Sequence, residues 1–149
     1  MAGWQLRAGF LMTVLGLVGC ASGDGTIPTI PMPTASTGPE SLVGPEWSLR
    51  SIGGKPVVAG TTLTAAFSNE DRVSGSAGCN RYFGSARATN GSLSVGPLGS
   101  TMMACAQDVM EQEALYLAAL QSATVYSIQG TELRLGLSES QVTLVFSTR

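Results

Sequence analysis

Apolar and polar residues alternate with a period of two in several stretches of this chain. Trp47 and Leu49 share one face, as do Leu63, Ala65 and Phe67, then Leu93 and Val95, then Leu133, Leu135 and Leu137, and finally Val142, Leu144 and Phe146. Such alternation predicts half-buried strands with their apolar faces on a common core. The runs are separated by turn residues at Gly53-Gly54, Ser68-Asn69-Glu70-Asp71, Asn90-Gly91, Gly130-Thr131 and Ser138-Glu139-Ser140. Asn90-Gly91 predicts a tight hairpin, because both residues tolerate positive φ, and Ser138 to Ser140 predicts a second one. Only after Asp108 does the pattern change. M-E-Q-E-A-L-Y-L-A-A-L-Q-S contains neither Gly nor Pro, and Asp108 with Glu111 has capping-box spacing. The spacing predicts one helix, with Met110, Ala114, Leu117, Ala118 and Gln121 near its apolar stripe. The expected fold class is mainly β (α+β), a curved antiparallel sheet or partly open barrel with one helix packed against it.

The N-terminal part follows a different pattern. One positive charge, Arg7, precedes a charge-free apolar run from Ala8 to Val18, too short for a stable membrane-spanning helix and laid out as a secretory signal. Its end, Leu17-Val18-Gly19-Cys20, resembles the bacterial lipobox, which predicts a signal peptide over 1–19 and lipidation of Cys20. Acyl chains there anchor a protein to a membrane surface by roughly 0.8 kcal/mol for each buried CH₂. From Ala21 to about position 41 the composition is Gly, Ser, Thr and Pro with no aromatic residue. A segment of this kind cannot bury enough apolar surface to offset its ordering entropy and reads as a tether. The folded domain is expected over 42–149, which is long enough for one core.

Composition narrows the chemistry. Lys and Arg number 8, Asp and Glu 10, and there is no histidine. No basic cluster offers phosphate neutralisation, so nucleic acid is not an expected partner. Without histidine, Ser/His/Asp and Cys/His arrangements are excluded. Glu111 and Glu113, two apart on a helix, point to different faces, and no P-loop or G-x-G-x-x-G follows a strand. The chain is therefore expected to have no catalytic residue, no metal and no cofactor.

G-C-N-R-Y-F-G and S-T-M-M-A-C hold Cys79 and Cys105. Once Cys20 is lipidated, these two form an even pair in an oxidising compartment, for which a disulfide is the default. A soft-metal site with Met102 and Met103, and a thiol activated by Arg81, remain as alternatives. Asn80, Arg81 and Tyr82 have both a structural and a functional interpretation. Asn80 can bond a turn, Arg81 can pair with Glu113, and Tyr82 can pack with its hydroxyl near the surface. The other possibility is that the three line a ligand or partner surface.

The order E-W-S-L, T-A-A-F-S, R-V-S-G-S-A-G-C-N-R-Y-F-G-S, S-L-S-V-G-P-L-G-S-T-M-M-A-C, M-E-Q-E-A-L-Y-L-A-A-L, V-Y-S-I-Q-G-T-E-L-R-L and V-T-L-V-F resembles the META domain, or HslJ-like, family. The resemblance covers about Leu42 to Phe146. It implies a small antiparallel β domain with one helix, found in bacterial envelope proteins associated with stress, and it brings no reaction or catalytic residue. The expectation is a non-enzymatic lipoprotein of the cell envelope, at the outer membrane facing the periplasm, with a structural or interaction role in envelope stress tolerance. The alternatives are a binding module for a small hydrophobic compound, peptidoglycan or an envelope protein, and a thiol-based redox or soft-metal sensor.

Overall fold

The computed structural model describes residues 41–148; the signal, Cys20 and nearly all of the tether lie outside the described residues. Nine strands and one helix follow in the order β1 (Glu46–Ile52), β2 (Lys55–Pro56), β3 (Thr64–Ser68), β4 (Arg72–Ser76), β5 (Arg81–Thr89), β6 (Ser92–Ser100), α1 (Gln107–Ser122), β7 (Val125–Gln129), β8 (Glu132–Ser138) and β9 (Gln141–Thr148). Neighbours in the sheet run β2-β1-β3-β4-β5-β6-β7-β8-β9, all antiparallel, and β1 also pairs with β9. The sheet thus returns on itself as a ring, though not as a regular barrel. The expected fold class holds.

The ring closes unevenly. β1 and β9 are joined at Trp47↔Thr148, Ser48↔Ser147, Leu49↔Phe146, Ser51↔Val145 and Ile52↔Leu144. β6 and β7 share one residue pair, Ser92↔Val125, flanked by hydrogen bonds from Leu93 N to Thr124 O and from Tyr126 N to Gly91 O. Beyond that point β6 leaves its neighbour, and α1 carries the chain back to the start of β7. The helix packs on β6, β8, β9 and β1.

Trp47, Leu49, Leu63, Ala65, Phe67, Val73, Leu93, Leu133, Leu135, Leu144 and Phe146 fill the core together with Tyr82, Tyr116 and Leu120. The hairpin turns sit where their residues predict: Asn90 and Gly91 have φ of 49° and 82°. Leu137, expected inside, is exposed, because register shifts on both sides of Gly136 change the phase of β8 against β9.

The helix differs from its expected form in two ways. Its N-cap is Ala106, without a side-chain cap; Asp108 lies in the first turn and accepts a hydrogen bond from Val109 N, while Glu111 accepts one from Gln107. Its buried residues are Gln112, Glu113, Tyr116 and Leu120, whereas Met110, Ala114, Ala118 and Gln121 are exposed. Apolar periodicity points to the wrong face here because two of the inward positions carry polar side chains, each with a partner waiting in the sheet or its loops.

Candidate functional site

The partner of Glu113 comes from the motifs that the sequence singles out, and those of Gln112 from the loop before β3. Ala77 N donates to Asn80 O at 2.7 Å, closing a two-residue hairpin loop between β4 and β5. Gly78 occupies the first corner with φ of +108°, a conformation that side chains rarely adopt. Cys79 follows at the second corner, and its sulfur is bonded to that of Cys105 with the Cα atoms 6.1 Å apart. The disulfide ties the hairpin to the loop between β6 and α1.

Asn80 gathers the surrounding groups. Its residue is 2% exposed. The side-chain oxygen accepts from Thr101 Oγ1 at 2.8 Å and from Met103 N at 2.7 Å. Its Nδ2 donates to Glu113 Oε1 at 2.8 Å and to Met103 O at 3.3 Å, and its backbone N donates to Glu113 Oε2 at 2.7 Å. An amide has one acceptor and one two-proton donor, and here both ends are occupied. The buried Glu113 carboxylate receives the loop through both oxygens, and such charge-assisted bonds are the stronger kind. Gln112 repeats the device one residue earlier: its Oε1 accepts from Val58 N at 2.6 Å and its Nε2 donates to Thr61 Oγ1 at 3.0 Å.

Deeper in the core, Tyr82 and Tyr116 meet edge to face with ring centroids 5.6 Å apart. Their hydroxyls stand 2.8 Å apart, and each approaches Thr64 O, at 2.9 Å and 3.1 Å. That carbonyl is reachable because β4 has Gly75 beside it; a Cβ at Gly75 would lie 2.0 Å from Thr64 O. Burial disfavours the phenolates and pushes both tyrosines well above their usual 10.0; for Tyr116, the neighbouring Tyr82 adds to the effect. Ionising either ring would remove one of the two protons that hold three oxygens together.

Two expectations for this segment are corrected by the geometry. Glu113 takes Asn80 and not Arg81, whose side chain points into solvent and forms no ion pair among the described residues. The Tyr82 hydroxyl is in the core and not near the surface, and the residue is 1% exposed. Asn80 and Tyr82 therefore line no ligand surface; of the three candidates only Arg81 is exposed. Sequence reasoning missed the inward roles of Gln112, Glu113, Tyr116, Thr64 and Thr101. Glu113 and Tyr116, three apart in E-x-x-Y, were the available signal, since such positions share a helix face. No group of three or more Cys, Asp or Glu able to hold a metal occurs among the described residues.

This architecture has known counterparts. The chain is 31% identical to the heat shock protein HslJ of Escherichia coli (strain K12) over 106 residues, which make up 70% of this chain and 69% of HslJ. Two solved NMR structures share the fold, each with a TM-score of 0.56. One, from Burkholderia xenovorans, is 29% identical and covers 72% of this chain and 83% of its own. The other is 27% identical and covers 70% and 88%. The family model of the META domain matches residues 40–149, and the chain belongs to the META domain family.

Proposed function

We propose that this protein is a non-enzymatic envelope lipoprotein whose META domain, held to the membrane through Cys20 and displayed on the Pro-rich segment, acts as an interaction module in tolerance of envelope stress. One observation carries this reading. The buried polar side chains that could have formed a reactive site, namely Asn80, Glu113, Gln112, Tyr82 and Tyr116, are occupied by hydrogen bonds that hold the fold together. A domain whose buried polar groups are used in this way meets other molecules through its outer surface. The heat shock designation of the E. coli relative supports the link to stress, and the lipobox-like L-V-G-C supports the anchor.

The test is complementation in the source bacterium after deletion of the gene. The wild-type chain is expected to restore survival under heat and under envelope-directed antibiotics, and to take up labelled fatty acid. Cys20→Ala is expected to lose both the label and the restoration. A deletion strain that tolerates these stresses as well as its parent would overturn the proposal.

A further inference from the structure

The outer face of β3, β4 and β5 holds an open groove of about 700 Å³ lined by Ala66, Ser74, Arg72, Phe83, Ser85 and Arg87, among others. The register explains how it is built. Ala66↔Ser74, Ser74↔Phe83 and Phe83↔Gly99 form one lateral row across four strands, and Ser68↔Arg72 and Arg72↔Ser85 form the next. Every member of the row except Phe83 is small, so the floor is low and the phenyl ring stands above it. The ring lies over Gly99, where an added Cβ would come within 3.1 Å of Phe83 Cζ, yet Phe83 is 65% exposed. Arg72 lies diagonally across the pleat from Phe83, within reach of a long side chain.

Charge on this face is mixed, with Glu70 and Asp71 beside Arg72 and Arg87 in the lining of the groove. Arg81, Phe83, Ser85 and Arg87 project outward in sequence along β5. Asp71 holds Arg87 at 2.9 Å and 3.0 Å. Arg72 and Arg81 form no ion pair among the described residues. Among the described residues the groove therefore offers a guanidinium without an ion pair at Arg72 beside an exposed aromatic ring, with Arg81 on the far side of that ring and Glu70 on the same lining.

Strands β3, β4 and β5 each have a neighbour on both sides, so their main-chain groups serve the ladders and none is offered to an added peptide strand. A ligand must be recognised by side chains alone: one phenyl face, serine hydroxyls at positions 68, 74 and 85, and the Arg72 fork. A ring with an apolar C–H face, several hydroxyls and an acidic group matches all three, whereas an acidic peptide would use the arginine and leave Phe83 idle. We propose that this groove binds an anionic saccharide, with Phe83 stacked on the sugar ring, Arg72 forked to its carboxylate or phosphate, and Arg81 adding long-range attraction. The inference deepens the interaction role proposed above and rests on it.

Isothermal titration of the full chain in detergent micelles tests it, with N-acetylmuramic acid as the carboxylate-bearing sugar and glucosamine 6-phosphate as the phosphate-bearing one. Whichever source the chemistry serves, at least one should bind saturably and more weakly as salt rises. Phe83→Leu, which still covers Gly99, and Arg72→Gln should each weaken binding by about tenfold, the effect of losing one good anchor, with thermal melts unchanged. Arg134→Gln, on β8, should change nothing. The proposal is overturned if neither sugar binds, if neutral N,N′-diacetylchitobiose binds equally well, or if polyglutamate binds equally well with Phe83→Leu indifferent. A wild-type chain that restores stress survival yet binds neither sugar would fail here alone and leave the interaction role standing.

Discussion

The two seams through which the ring closes use different chemistry. At β1–β9 the backbone does the work, with five residue pairs from Trp47↔Thr148 to Ile52↔Leu144. At β6–β7 the ladder stops after Ser92↔Val125, and the following loop and helix are held by side chains: Asn80 on Thr101 and Met103, Glu113 on Asn80, and Gln112 on the loop at Val58 and Thr61. A backbone ladder tolerates many sequences because every residue brings the same donor and acceptor. A side-chain seam depends on particular residues and fails when one is removed. The difference explains why G-C-N-R-Y and E-x-x-Y stand out as motifs while the strands of the other seam read only as alternation.

The largest expected break is Glu113→Ala. It leaves the buried Asn80 N–H without its acceptor and removes one of two partners from Nδ2. Losing the charged half of a buried network costs about 3–5 kcal/mol, against a total stability on the order of 5–15 kcal/mol. Urea unfolding of the purified chain should show this loss. Hydrogen exchange should show where it falls, with amides of Asn80 and Met103 losing protection before those of β1 and β9. Equal loss at both seams would mean that the two are not separable.

Reducing the disulfide is the next step down. Cys79 and Cys105 are 26 residues apart in sequence, and closing a loop of that length stabilises a fold by roughly 3.5 kcal/mol on chain-entropy grounds. The disulfide and the Asn80 side chain hold the same loop, so their effects should overlap. Reduction and Asn80→Ala together are expected to cost less than the sum of the two alone, as a double-mutant cycle would show. A strictly additive result would place the disulfide outside the seam.

The balance between the seams also explains what could be read in advance. Hairpins at Asn90-Gly91 and Ser138 to Ser140 were legible because turn chemistry is local, and the strands from Leu133 to Phe146 because their apolar alternation is strong. β4 was poorly legible, since Val73 is its only large inward residue and Gly75 replaces a second one to make way for Thr64 O. The helix was legible as an element but not in its orientation. Gln112 and Glu113 look like solvent-facing residues until their partners, far away in sequence at Val58, Thr61 and Asn80, are in place. Asn80 and Tyr82 were recognisable as special residues, but whether they serve the core or the surface depends on contacts with Glu113 and Tyr116, which alternation cannot supply. The Phe83 groove went unnoticed because Ala66, Arg72 and Phe83 meet only through strand register.

The smallest effect is graded by pH. Tyr82 and Tyr116 anchor α1 to β5 and to Thr64 O, and both titrate above the usual 10.0 because burial disfavours their charged forms. In the unfolded chain they would lose protons near that ordinary value, so above it the unfolded state binds fewer protons than the folded one. Stability from these groups is therefore fully present below pH 10 and declines as pH rises, by about 1.4 kcal/mol for each tyrosine per pH unit. Denaturant midpoints measured between pH 8 and pH 11 should stay level with respect to these groups and then fall. In Tyr82→Phe the fall should be about half as steep, since one buried phenol remains. An equal slope in wild type and variant would mean that the alkaline loss arises elsewhere, and that the tyrosine pair packs the helix without holding it through its protons.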